Sequence, residues 1–270
     1  MPELGEVRRA RILELAAQQG SVRVAVLSQM FSVTPETIRR EINRLAQKGQ
    51  LARVHGGAVL PSGMARELPF QLRSGRQQGE KLAIAAEAAA MVEEGDIVAL
   101  DASTTALSLG QELAQRGLAA VVVVTNAAEL PLRLAEAPGV TVLCTGGTLR
   151  GHSRSYVGPQ TVRALEGYRV RKTFLSCQGF TLADGPSETS EAEAEVKQAL
   201  VRAAEEVVLM VDHTKWGRNA LVPICPVGAL GRVITDRPPP LEEMRALEDA
   251  GVALHVTGTG PVHPRGGTSR

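Results

Sequence analysis

Apolar residues recur at helical spacing three times near the start of the chain. Ile12, Leu13, Leu15 and Ala16 form one stripe in ARILELAAQQG, and Val24 and Leu27, with Phe31 near them, form a second in VRVAVLSQMF. Ile38, Ile42 and Leu45 form the third. Each stripe predicts a short amphipathic helix with one buried face. The third has a defined start: Thr34 suits the N-cap, Pro35 the first helical position, and Glu36 the first turn, where the helix dipole favours an acid. Gly49 is a natural stop, LARV a plausible strand, and His55, Gly56 and Gly57 a turn before Ala58 to Leu60 returns. Two helices, a tight SVT connection, a third helix and a hairpin predict a winged helix-turn-helix.

Further along, helical stretches alternate with short apolar runs. Helices are expected over Lys81–Val92, Thr105–Gln115, Leu130–Glu136 and Glu191–Ala204, with strands over Asp96–Leu100, Ala120–Thr125, Val140–Cys144, Thr173–Cys177, Val207–Val211 and Arg232–Thr235. A last helix and strand fall between Leu241 and Val256. Nearly continuous apolar strands separated by helices predict an α/β domain with a mainly parallel sheet and helices on both faces. The expected organisation is a winged helix-turn-helix domain over 1–60, a linker over 61–78, an α/β domain over 79–257 and a Gly- and Pro-rich disordered tail over 258–270.

With Ile38, Ile42 and Leu45 inward, Thr37, Arg40, Asn43 and Arg44 face outward, and Arg39 and Lys48 flank them. Arginine can make paired bonds to guanine edges or grip phosphate, and asparagine can pair with adenine, so this face suits the major groove. A basic amphipathic helix alone is more often an ordinary solvated face; the flanking helices and hairpin tip the balance. The candidate DNA contacts are Thr34, Thr37, Arg39, Arg40, Asn43, Arg44, Arg53 and His55. Arg40, Asn43 and Arg44 would read bases, and Arg39, Arg53 and His55 the backbone, although His55 serves equally well as a locally bonded turn residue.

Val24, Leu27, Phe31, Val33, Thr34, Thr37 to Ile42 and Leu45, followed by Gly49, Leu51, Arg53 and His55 to Ala58, resemble the amino-terminal signature of the DeoR family of bacterial transcriptional regulators.

Composition fits a two-module regulator. The 270 residues, 44% hydrophobic, can bury a full-sized core. The net charge of +1 is uneven: nine Lys and Arg stand against five acids through residue 60, a net +4, leaving 21 against 24 beyond it, a net −3. Positive charge thus collects where phosphate would be met. The charged amino terminus lacks the apolar core of a signal peptide and no apolar run is long enough to span a bilayer, so a cytoplasmic protein is expected. Cys144, Cys177 and Cys225 lie far apart in apolar runs and read as small buried residues, with no metal or disulfide framework. Few aromatics argue against base stacking on single strands.

In a parallel sheet, ligands bind at the carboxyl ends of the strands. The residues there are Asp101, Ala102, Ser103, Thr104 and Thr105 at a helix start; Thr125 and Asn126; Thr145, Gly146, Gly147 and Thr148; and Asp212, His213, Thr214 and Lys215. Hydroxyls, free N–H groups and a lysine suit a small phosphorylated polyol. A nucleotide is disfavoured, since no G-x-G-x-x-G or Walker loop is present. The candidate effector contacts are Asp101, Ser103, Thr104, Thr105, Thr125, Asn126, Gly146, Gly147, Asp212 and Lys215, each of which alone reads equally as a cap, a turn or a surface charge.

These segments, with Ser155 to Gly158 and the run Asp212 to Gly217, resemble the DeoR-type sensor domain, extending the resemblance over about residues 6–257. Ser103 stands where the family more often has Gly, and Trp216 where it has Phe. The resemblance implies a fold like ribose-5-phosphate isomerase, a phosphosugar effector, no cofactor and control of sugar metabolism. An isomerase-like enzyme is the rival reading. The related isomerases carry a D-G-A-D-E run and a Lys-Gly-Gly-Gly run; here Ser176 to Phe180 offers no carboxylate and PSETSEAEAEVK no glycine run. Glu188, Glu191, Glu193 and Glu195 are expected on the polar face and first turn of a helix, with Glu195 or Lys197 left open as a pocket residue. The reading is therefore a DNA-binding regulator, a repressor rather than an activator, acting as a homo-oligomer on paired half-sites and controlled by a phosphorylated sugar.

Overall fold

A computed structural model of the chain describes residues 3–19, 21–59, 68–258 and 260–261. The chain divides into two compact units, Met1–Arg76 and Gln77–Arg270.

In the first unit α1 (Glu3–Gln19) leads into β1 (Ser21–Arg23), α2 (Val24–Met30), α3 (Pro35–Gln47), the hairpin of β2 (Ala52–Val54) and β3 (Gly57–Val59), and α4 (Phe70–Gly75). All the stripe residues from Ile12 to Leu45 named above are buried in one core, apart from Phe31, which packs against it half-buried. The Thr34 side chain accepts from the Thr37 N–H, Pro35 opens α3, and Gly49 takes φ +68° just past its end. The hairpin gains a third strand: β1 pairs antiparallel with β3, giving the order β1-β3-β2. Here the H-G-G motif has a physical cause. Gly56 turns at φ +75°, and a Cβ on Gly57 would stand 2.0 Å from the Val22 carbonyl oxygen of β1, so only glycine fits.

The stretch 61–78, expected to be linker, is partly structured. Residues 60–67 lie outside the described residues, but α4 follows and Leu72 packs into the first unit's core, because Phe70 and Leu72 bury apolar surface that a free linker would expose.

The second unit runs α5 (Gln78–Ala90), β4 (Ile97–Leu100), α6 (Thr104–Arg116), β5 (Val121–Thr125), α7 (Leu130–Leu134), β6 (Val140–Cys144), β7 (Thr148–Arg150), β8 (Ser155–Val157), α8 (Pro159–Glu166), β9 (Val170–Leu175), β10 (Gly179–Thr181), β11 (Gly185–Glu188), α9 (Glu191–Ala203) and β12 (Ala204–Met210). After a 3₁₀ turn, His213–Lys215, come β13 (Val222–Pro223), β14 (Arg232–Thr235), α10 (Leu241–Asp249), β15 (Ala253–Val256) and β16 (Gly260–Pro261). Among the described residues the main sheet has eight strands in the order β16-β15-β14-β12-β9-β4-β5-β6, parallel except for β16.

Alternate strand residues face alternate helix layers. Val98, Leu100, Val123, Phe174 and Val208 pack with Ile84, Leu109 and Leu130 of α5, α6 and α7, whereas Ala99 and Val124 pack with Leu165, Val196 and Leu200 of α8 and α9. Part of the stretch expected to be a tail from 258 is structured, since Gly260–Pro261 form β16 and pair with β15; residues 259 and 262–270 lie outside the described residues.

Replacing Gly57 by Ala should force β1 and β3 apart and lower the stability of the first unit by about 1–3 kcal/mol. Urea unfolding of the full chain measures this. An unchanged transition would mean that β1 does not lie against the hairpin.

Candidate DNA-binding and effector sites

On α3, Arg39, Arg40 and Arg44 are exposed and Thr37 and Asn43 half-buried, all away from the buried Ile38, Ile42 and Leu45. Arg53 and His55 are exposed on the hairpin and its tip. Arg39 pairs with Glu36 at 3.3 Å on the surface, leaving Arg40 and Arg44 the freer cations of the helix. Ser28, Gln29, Ser32, Thr34 and Thr37 line a groove where α2 meets the start of α3, a concave surface rich in hydroxyl and amide groups. Glu41, expected only as part of the family signature, is buried and accepts both Arg8 Nε at 2.8 Å and Nη2 at 2.6 Å. This bidentate bond fixes α3 against α1 and so aims the exposed face.

In the second unit, strand order reverses around β4: β5 and β6 lie to one side, β9, β12 and β14 to the other. The crevice at the carboxyl end of β4 and β9 is therefore the expected ligand position. Asp101, directly after β4, is 1% exposed. Its Oδ1 accepts the Ser103 N–H and its Oδ2 the Ser176 N–H, both at 3.0 Å, and Lys197 Nζ lies 3.1 Å from Oδ2. Lys197 also donates to the Ser176 carbonyl at 2.6 Å and to Glu188 Oε1. The ammonium thus makes two hydrogen bonds and stands in an ion pair with Asp101. Burial alone would lower the Lys197 pKa, but Glu188 and Asp101 outweigh it and hold the group above its ordinary value of 10.5.

One turn earlier on α9, buried Glu193 accepts from the hydroxyls of Ser153, at 2.6 Å, and Ser155, with Arg150 at 3.4 Å. Helix α9 thus ties the β4–β9 crevice to the β7–β8 hairpin through residues four apart on one face. Glu188 lies on β11 rather than on a helix; exposed Glu195 lines a groove between α8 and α9, whereas Lys197 is buried beside Asp101. Lys197 supports the crevice by pairing with Asp101 and Glu188.

The predicted contacts separate into supports and free groups. Thr125 is fully buried; its hydroxyl donates to the Leu100 carbonyl at 2.7 Å and accepts the Ala127 N–H, so it joins β5 to β4 and has no donor left for an effector. Asp101 and Asp212 are likewise engaged, the latter capping the 3₁₀ turn by accepting the N–H and hydroxyl of Thr214. Gly147 serves packing: it holds φ +117°, and a Cβ there would lie 2.0 Å from Thr161 Oγ1. A Cβ on Gly146, at φ +63°, would meet only Gln160 Nε2 at 3.9 Å, and the Gly146 carbonyl accepts from Thr161 at 2.7 Å.

What remains free is the start of α6 and, in the 3₁₀ turn, the side chain of Lys215. Ser103 caps α6 by accepting the Ala106 N–H at 3.0 Å, while the N–H groups of Thr104 and Thr105 have no acceptor within the helix. Among the described residues no side-chain hydrogen bond engages the Thr104 or Thr105 hydroxyls, and none engages the Lys215 ammonium. Lys215 is close enough to Cys177, on the loop after β9, to favour its thiolate, yet burial pushes that thiol up to about 12 and leaves it unreactive.

Residues 8–63 match the DeoR-like helix-turn-helix domain and residues 76–237 the DeoR C terminal sensor domain. The chain belongs to the DeoR family. It is 38% identical over 259 residues to the HTH-type transcriptional regulator YulB of Bacillus subtilis, covering 96% of this chain and 98% of that one. It is 32% identical over 249 residues to the Glycerol-3-phosphate regulon repressor of Escherichia coli, covering 92% and 98%. Ribose 5-phosphate isomerase A of Methanocaldococcus jannaschii is a remote structural neighbour, at 18% identity and TM-score 0.38 over 52% of this chain and 54% of that one, a likeness too slight to build on. Family membership makes the chain a DNA-binding transcriptional regulator, with a helix-turn-helix unit followed by an α/β sensor unit.

Replacing Lys197 by Met should leave Asp101 and Glu188 buried without their counter-charge and cost about 3–5 kcal/mol. Because the folded-state pKa of Lys197 is raised, its contribution is fully present below the ordinary lysine value and is lost only as pH rises through the folded one. Urea unfolding should show the same penalty at neutral pH and at about pH 9.

Proposed function

We propose that this DeoR-family regulator is a repressor of a sugar or carbohydrate operon, that it binds its operator through α3 and the wing, and that a phosphorylated sugar in the second unit controls it. The observation that carries the effector reading is the pair of unused N–H groups at the start of α6, with the free hydroxyls of Thr104 and Thr105. A helix N-terminus with unpaired N–H groups is suited to an anion. Direct contacts are assigned to Ser103, Thr104, Thr105, Asn126, Gly146 and Lys215, with Asp101, Thr125, Gly147 and Asp212 holding them in place. Relatives named for a glycerol-3-phosphate regulon and an aga operon support the sugar-phosphate class.

Binding without turnover is the reading the carboxylates favour. Asp101, Glu188 and Glu193 are each held by internal donors, so none is placed as a proton-abstracting base. The relatives are transcriptional regulators as well. A cytoplasmic homo-oligomer follows from the role: helix-turn-helix proteins read paired half-sites by two-fold symmetry. Among the described residues, no helix is long and apolar enough to cross a membrane. The effector must bind the low-affinity arrangement for DNA more tightly than the other, since equal binding shifts nothing.

On DNA, Arg40, Asn43 and Arg44 are assigned to base edges, and Thr34, Thr37, Arg39, Arg53 and His55 to the backbone. Arg40→Ala with Arg44→Ala should remove roughly 1–3 kcal/mol per arginine from operator binding in a gel-shift assay at physiological salt. Retained affinity would remove α3 from the base-reading role. For the effector, a thermal-shift screen of sugar phosphates should raise the melting temperature of the wild type, since a ligand of the native state stabilises it by mass action. A shift with non-phosphorylated metabolites alone would overturn the phosphate assignment, and turnover of a hit would favour the isomerase.

A further inference from the structure

Asn126 follows β5 directly and is 2% exposed. Leu100 and Thr125 are the last pair of the parallel β4–β5 register, so Asp101, which leads into α6, and Asn126 are the residues that next leave the two neighbouring strands at the same end of the sheet. The Asn126 side chain is held in one sense: Nδ2 donates to the Tyr156 carbonyl at 3.0 Å, while the Tyr156 N–H returns to the Asn126 carbonyl at 2.7 Å. A flipped amide would set two carbonyl oxygens face to face, so Oδ1 must point the other way. That Oδ1 is buried and has no hydrogen-bond partner.

An orphaned buried acceptor is destabilising, and a ligand that supplies a donor relieves that cost. The chemistry of that donor is restricted. Ionised phosphate oxygens are acceptors and would be repelled by Oδ1, whereas a sugar or polyol hydroxyl can donate to it. The unused groups at the α6 start have the opposite preference, offering N–H donors to an anion. The two neighbouring positions therefore select different ends of one molecule.

We infer that Asn126 is a specificity-determining residue that accepts a hydrogen bond from an effector hydroxyl, so that the site takes hydroxylated phosphate esters and discriminates against inorganic phosphate and esters without hydroxyls. The inference rests on the effector reading given under Proposed function. It assigns Asn126 to the polyol and leaves the phosphate to α6.

The test is titration of the full chain, followed by calorimetry, with glycerol 3-phosphate, ribose 5-phosphate, propyl phosphate and inorganic phosphate. The wild type should bind at least one hydroxylated ester about tenfold or more tighter than propyl phosphate, as the loss of a buried hydrogen bond dictates. Asn126→Ala should bring the two esters within about threefold by weakening only the hydroxylated one. If Asn126→Ala does not fold, Asn126→Ser, which shortens the side chain and withdraws the orphan carbonyl, is used for the same comparison. Wild-type binding of propyl phosphate as tight as that of the hydroxylated esters overturns the inference while the phosphate site stands. Discrimination that survives the substitution overturns the role of Asn126. Failure of every phosphate ester to bind overturns the phosphate reading and this inference with it.

Discussion

The buried ammonium of Lys197 is the interaction on which the sensor unit's crevice depends. It joins the loop after β4, through Asp101, to the loop after β9, through Ser176, and to β11, through Glu188. Asp101 in turn accepts the N–H groups of Ser103 and Ser176, so the start of α6 is held at the point where strand order reverses. A charge this deep is tolerable only because two carboxylates and a carbonyl surround it. The crevice is consequently pre-organised: its charged members are spent on one another, and the groups left over are N–H, hydroxyl and amide.

On the proposed reading, that division lets a sheet edge crowded with carboxylates hold a ligand without acting on it. A general base needs a carboxylate with a free lone pair aimed at a substrate proton. Glu193 is surrounded by Ser153, Ser155 and Arg150, and Asp101 by two N–H groups and an ammonium. The free donors instead cluster at the first turn of α6.

A parallel logic operates in the DNA-binding unit. The exposed arginines of α3 are useful only if the helix is held in a fixed orientation, and the bidentate Arg8–Glu41 bond provides this from α1. Burial of Ile38, Ile42 and Leu45 decides which face of α3 is outward; the ion pair decides where that face points within the unit.

Most of this architecture was legible in local sequence. Thr34-Pro35-Glu36 marks the start of α3, apolar stripes mark α1 to α3, and runs such as Val121–Thr125 mark the parallel strands, because helix and strand periodicities are local properties. Strands β1, β7, β8, β10, β11 and β13, of two to four residues, are too short to carry a period, and α8 begins at Pro159 without a capping side chain to announce it. The sequence also determined which residues gather at the carboxyl edge of the sheet, since that follows from strand ends. Only the tertiary structure decided what each does there. Thr125 and Asp101 are supports and Asn126 keeps an unsatisfied acceptor because their partners, Leu100, Ser176, Lys197 and Tyr156, lie up to 96 residues away in the chain, and hydrogen-bond saturation depends on those distant neighbours.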